Sequence, residues 1–349
     1  MHSFSAPILE LATPTKMMSH KFVAAKPSAL ALRRQTGLVP KRPKFFTTNA
    51  TTTSFSALED VLEDYQKAPP SFKQEITADV KKTMEDLKAS GELVKWGVET
   101  EKLPERRQVS LGELRMMGVK EPEAIARISV RNDAAFLMTT VGVSSVLAVV
   151  LGQLPGDWGF WGAYLTGGIS IAVLAIGSTN PGILQFFIDS FSQIFPDYKE
   201  RVIKHEAAHV LTAHVLGVPV AGYSLMIGKE HTDLAEAALQ QRLIERTLEQ
   251  SEVDRLSIIA MAGATSEAMN FEEVMGQNAD MLDLQRIMWR SSNKMSDAQQ
   301  QNQTRWAAYQ AAAILRKYKN EYAALVDCMT RGASTAECIK AIENAKNDE

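Results

Sequence analysis

Two stretches without a single charge restrict what this chain can fold into more than any other feature. Residues 134–151 (AAFLMTTVGVSSVLAVVL) and 160–176 (FWGAYLTGGISIAVLAI) run for eighteen and seventeen residues without Asp, Glu, Lys or Arg. As a helix, the first rises about 27 Å, close to the thickness of a bilayer core. Only Gly152–Gly159 separates the two, with Pro155, Gly156 and Asp157 as turn formers. The pair therefore predicts a transmembrane helical hairpin over 134–176. Trp158 and Trp161 stand where interfacial aromatics belong, and Gly162, Gly167 and Gly168 offer small surfaces for close helix approach. An apolar hairpin buried inside a soluble protein is the competing expectation, and recovery of the protein in the supernatant after carbonate extraction would favour it.

The flanking charges set an orientation. Arg127 and Arg131 precede the first stretch, Lys199, Arg201 and Lys204 follow the second, and the turn between them has no Lys or Arg. Both long segments are thus expected on the same, positive side of the membrane. A third apolar run, Ile183 to Phe195, is shorter, carries Asp189 and ends at Pro196. It predicts an interfacial helix over 183–195, not a third span.

Before the hairpin, residues 58–133 read as a small soluble helical arm. Leu58 to Tyr65 has apolar residues at helical spacing ahead of the Pro69-Pro70 break, and Ser71–Lys88 places Ile76, Val80, Met84 and Leu87 on one stripe. Gly97–Arg107 is expected to be loop, and Ser110–Ile128 helical with an interruption near Gly118. Residues 1–57 hold eight Lys or Arg against one acid, Glu10, and are rich in Ser, Thr, Ala and Pro. An acid-poor, hydroxylated, basic leader of this kind is an organellar transit peptide in type, not a secretory signal. Ser, Thr and Pro outweigh any Arg-rich amphipathic helix, which favours a plastid membrane over the mitochondrial inner membrane as alternative. The net charge of −3 has no basic signature, so no nucleic-acid partner is expected. Cys328 and Cys338 form no Cys-x-x-Cys motif and are expected to be two small buried side chains.

Chemistry concentrates after the hairpin. His205-Glu206-Ala207-Ala208-His209 lies in a helix-favouring run expected to extend from Asp197 to Leu216 and to stop at Gly217. Residues four apart share a helix face, so His205 and His209 can present two imidazole nitrogens to one Zn²⁺, with Glu206 beside it as a base for water. Val218–Ile227 (VPVAGYSLMI) is apolar and partly β-branched, as a strand beside such a helix would be. For a third ligand the residues leave several choices. Thr212 and Val215 occupy the places where a His-x-x-Gly-x-x-His extension needs Gly and His. His214 falls on a different face and is expected to meet solvent or a local partner. Glu230 lies in an apparent loop, and Asp280 opens a helix reaching to about Arg290, with Asp283 one turn along.

Three motifs together, His205 to His209, Ala262-Gly263-Ala264-Thr265-Ser266-Glu267 and Gly276-Gln277-Asn278-Ala279-Asp280, resemble the peptidase domain of the FtsH-type membrane zinc metalloproteases. The resemblance spans about Tyr198 to Ile342, and with a leader and two spans it is most similar to plastid FtsH-related proteins that lack the ATPase module. It implies a helical, zincin-type peptidase domain over 197–345 with little β structure. It implies His205, His209 and Asp280 as zinc ligands, Glu206 as catalytic base, and Glu267 as a residue that orients a ligand histidine or the water. Two positions depart from the family pattern: Ala208 stands for a Gly, and Ala279 for an Asn. No Gly-x-x-x-x-Gly-Lys-Ser/Thr occurs in this sequence, so ATP dependence does not carry over.

The expectation is a mainly α protein, a membrane-anchored zinc metalloendopeptidase without its own motor. It would act on unfolded or membrane-protein segments in a thylakoid or inner-envelope membrane, with the peptidase domain on the stromal side. Its partners would be peptide substrates, the bilayer, and FtsH-type ATPase subunits or further copies of itself. The alternative is a non-proteolytic membrane scaffold or assembly factor that retains the site.

Overall fold

A computed structural model of the chain describes residues 55–125, 131–226, 230–235, 239–245 and 247–346. The leader therefore lies outside the described residues as far as residue 54, as do Arg127 and Ile128. Phe55 already belongs to the first helix, α1 (Phe55–Lys67), which buries Leu58, Val61, Leu62 and Tyr65 at the i, i+3, i+4, i+7 spacing of one apolar stripe. Pro70 opens α2 (Pro70–Ala89) where a missing N–H costs nothing, and Ile76, Val80, Met84 and Leu87 are all buried.

This N-terminal stretch is not a domain of its own. Its apolar stripes form one core with Leu93 and Trp96, just after α2, and with Ala221, Ala336 and Ile339, drawn from the middle and the far end of the chain. Residues that follow α2 run as an irregular strap across the C-terminus of the helix bearing the histidines. There the amides of Gly97 and Glu99 donate to the carbonyls of His214 and Val215, and Thr100 Oγ1 donates to Leu216 O at 2.8 Å. A helix end leaves its last carbonyls without partners, and the strap supplies them. The contact is so close that Gly217, at φ +71°, could not carry a Cβ without placing it 3.2 Å from Gly97 Cα.

A capping box at Ser110 starts α3 (Leu111–Met116). The helix expected over Ser110–Ile128 is shorter than its pattern suggested. Gly118 takes φ +93°, which turns the chain out of the helical path, and turns follow over residues 122–125.

The two uncharged stretches form α4 (Arg131–Leu151) and α5 (Asp157–Thr179), an antiparallel pair. Both are long and apolar enough to cross a membrane, and only 6 % of each apolar window is buried inside the protein. Val146, Val149, Ile171 and Leu174 point outward. A core helix of a soluble protein would hide such side chains, so these two are candidate membrane spans. Close approach comes from small groups: a Cβ on Gly162 would sit 3.1 Å from Leu151 Cβ, and Ser144 Oγ lies 2.9 Å from Ser170 Oγ. The third apolar run is α6 (Pro181–Ser192), which starts earlier and ends earlier than 183–195.

The core of the remainder is built on two helices, α7 (Tyr198–Val215) and α9 (Gln250–Asn270), each buried along most of its length. Between them in sequence come β1 (Val220–Ser224), β2 (His231–Leu234) and α8 (Leu239–Glu245); the strands pair antiparallel, with Tyr223 opposite Thr232. Then α10 (Gln277–Trp289), α11 (Asp297–Lys317), α12 (Lys319–Thr330) and α13 (Thr335–Asn344) complete a mainly helical structure. Trp306, Ala307, Ala308 and Ala311 of α11 share the main core with α7 and α9. Capping boxes at Ser296 and Ser334 start α11 and α13, and Cys328 and Cys338 are both buried and free.

Candidate metal centre

On α7, His205 and His209 are one turn apart and both nearly buried, with Nε2 atoms 3.1 Å from each other. The other nitrogen of each ring is committed elsewhere. His209 Nδ1 lies 2.7 Å from the carbonyl oxygen of Ile259 on α9, and His205 Nδ1 lies 2.7 Å from Glu267 Oε1. A carbonyl or carboxylate only accepts, so Nδ1 is the protonated nitrogen and Nε2 carries the lone pair in each neutral ring. Asp280, in the first turn of α10, brings Oδ2 to 3.0 Å from His205 Nε2 and 3.3 Å from His209 Nε2. This oxygen is buried and receives no hydrogen bond.

Three acceptor atoms thus converge on one small space, an arrangement that is repulsive unless something positive lies among them. Protons can serve: burial opposes charge on both rings, yet the Asp280 carboxylate holds His209 above its usual value and, helped by Glu267, holds His205 well above it. Burial likewise opposes charge on Asp280, and the two histidines outweigh it and keep the carboxyl far below its ordinary range. A divalent cation would satisfy all three atoms at once, with a donor set of two imidazoles and one carboxylate. Such a set suits zinc and other first-row divalent ions alike.

The backbone around this space is shaped to leave it open. A Cβ on Gly263 of α9 would fall 2.3 Å from His205 Nε2 and 2.5 Å from His209 Nε2. One on Gly276, just before α10, would fall 2.6 Å from Glu267 Oε1 and 2.9 Å from His205 Nδ1. Glu267 is the hub of this wall. Besides His205, its carboxylate accepts the amides of Met275 at 2.8 Å and Gly276 at 3.1 Å. Arg201 Nη1 stands 3.7 Å from Glu267 Oε2 while bonding Asp197 and the carbonyl of Glu273. One buried carboxylate therefore orients a histidine and fixes the loop that delivers Asp280.

Glu206 lines the same cleft, of about 980 Å³, and its Oε2 accepts a hydrogen bond from Thr232 Oγ1 of β2 at 2.7 Å. Of the other acids, Glu230 takes the hydroxyl of Tyr198 at 2.7 Å, and Asp283 is bonded by Arg286 at 2.7 Å; both line the cleft, and neither belongs to the converging group. His214 corrects an expectation. It meets neither solvent nor a local partner but is buried, with Nε2 2.7 Å from Glu343 Oε1 on α13. The face of α7 opposite a site can be filled from any part of the chain, and sequence spacing does not report which.

No family model, curated protein or solved structure matches the chain.

Thr232, the Ile259 carbonyl and Arg201 are parts of the site that sequence reasoning missed. A threonine in a short strand and a main-chain oxygen leave no motif. Arg201 did carry a signal, since it lies one turn before His205 on the same helix.

Proposed function

We propose that the protein is a membrane-anchored zinc metalloendopeptidase of the FtsH type, without a motor in this sequence. One observation carries the reading: two imidazole nitrogens and a carboxylate oxygen converge within 4.8 Å of one another, with Glu206 on the wall of the same open cleft. Bound zinc supplies a Lewis acid that polarises a peptide carbonyl and brings water toward neutral acidity. His205, His209 and Asp280 would hold it. The Thr232 hydroxyl fixes the Glu206 carboxylate through Oε2, leaving the rest of that group to take a proton from water and hand it to the departing amine. The antiparallel ribbon ending at Leu234 forms part of the cleft wall, where a main-chain edge can align an extended peptide. The composition of residues 1–57 and the flanking cations support a plastid membrane with the peptidase domain on the stromal side, with the mitochondrial inner membrane as the alternative.

Glu206→Gln tests the assignment. The variant is expected to bind zinc one-to-one, like the wild type, and to lose cleavage of an unstructured protein by about 10²–10⁴-fold, the usual worth of a general base. Equal cleavage by both would refute the role of Glu206. Zinc binding by both with cleavage by neither would favour the non-proteolytic scaffold.

A further inference from the structure

The cleft that holds the converging group runs up to the membrane helices. Its wall includes Asn132 and Asp133 in the first turn of α4 and Ile188 of α6, together with His205, Glu206 and Asp280. Asn132 is also the first residue of the apolar span. The hydrocarbon core takes up about 30 Å of a bilayer some 40–45 Å thick, so the first turn of a span lies in or beside the headgroup layer.

The chain leading into α7 holds the site close to that layer. Phe191 of α6 packs edge-to-face on Phe136 of α4, with ring centroids 5.7 Å apart, and on Phe195 at 5.8 Å. Three residues later Tyr198 opens α7, and it too lines the cleft. His205 follows seven residues on, about 10 Å along the helix axis. An extended peptide covers that distance in about three residues. Part of the cleft wall is apolar, with Leu243, Leu256 and Ile287 clustered with Leu248 and Val253. A chain emerging from lipid brings apolar side chains that such a wall can receive.

From this continuity we infer that the substrate is the juxtamembrane segment of another membrane-spanning chain, cut within about ten residues of where it leaves the lipid. The inference rests on the peptidase reading above. The distance from the bilayer selects the bond, and the sequence around that bond matters less. Hydrolysis is the only covalent step: the peptide C–N bond breaks, a C–O bond to the water oxygen forms, and the proton ends on the leaving amine.

The full chain, loaded with Zn²⁺, would be placed in liposomes with a single-span reporter whose unstructured tail lies on the same side as α7. The tail carries the same cleavable sequence twice, once next to the span and once far out, and the products are read by mass spectrometry. Cleavage is expected at the near copy at least ten times faster than at the far copy, and at least ten times faster than in the tail supplied as a free peptide. If both copies and the free peptide are cut at similar rates, the membrane ruler is wrong while the peptidase stands. If the zinc-loaded protein cuts none of them, both readings fall together.

Discussion

Gly263 has no side chain to offer, and the site depends on that. The point where its Cβ would stand lies 2.3 Å from one histidine nitrogen and 2.5 Å from the other, so a methyl group there must push the two rings apart. Gly263→Ala is therefore predicted to weaken zinc binding by at least 10-fold, the lower end of the range for disturbed supporting contacts, while leaving helix content unchanged. Titration with zinc against a competing chelator would measure it; wild-type affinity would show that the rings do not need this space. Glu267 acts at one remove. Its carboxylate ties His205 to the amides of Met275 and Gly276, so it couples the helix that carries two candidate ligands to the loop that carries the third. His205, Glu206 and His209 were legible as residues because the four-residue spacing is local. Thr232 was not, because its hydroxyl reaches Glu206 only through the pairing of β2 with β1.

At the scale of elements, the end of α7 is held from two directions. The strap after α2 caps its last carbonyls, and Glu343 of α13 joins the two by taking His214 Nε2 at 2.7 Å and the amides of Val94 and Lys95 at 2.9 Å through Oε2. Lys95 in turn pairs with the buried Glu321 of α12 at 2.7 Å. Burial alone would raise Glu343, but the bonds from His214 and the two amides outweigh it and hold the group below the usual 4.5. A depressed carboxylate adds stability above its unfolded value and loses it as pH falls through the folded one. The wild type, unfolded with urea in detergent, is accordingly predicted to lose stability as pH drops below about 4.5. Glu343→Gln should flatten that part of the profile and cost about 1–3 kcal/mol at neutral pH, because the buried groups that met a carboxylate keep only part of their bonding. Identical acid profiles would remove Glu343 from this role. Helices α1 and α2 could be read from their stripes, Leu58 to Tyr65 and Ile76 to Leu87, because amphipathicity is written in the spacing of a single element. What the stripes pack against could not, since Ala221 and Ile339 carry no mark that they belong to the same core.

At the scale of the molecule, α1 and α2 are packed into the fold that carries the site, so with α4 and α5 as membrane spans these two helices and the C-terminal helices would share one side. Among the described residues, only the turn between α4 and α5 would be left for the other side. Single cysteines introduced at the exposed Leu154, Glu59 and Asp327 are predicted to divide accordingly in sealed vesicles. A membrane-impermeant maleimide would label Leu154→Cys from one face and the other two from the opposite face. Labelling of Glu59→Cys and Leu154→Cys from the same face would contradict the hairpin.

The sequence by itself determined the two apolar helices, the turn between them, and the helix carrying His205, Glu206 and His209. Each of these is a local property: an uncharged run too long to hide in a small core, or two side chains set one turn apart. Tertiary structure decided which acid meets the histidines. Glu230, Asp280 and Asp283 were all available, and only Asp280 is carried into the converging group, because Glu267 anchors the loop before α10 and Asp283, one turn on, faces Arg286. It also decided that the cleft reaches the first turn of α4, through an aromatic contact between Phe136 and Phe191 that spans 55 residues of chain. Contacts of that range depend on how helices pack, and packing depends on every residue at the interface at once.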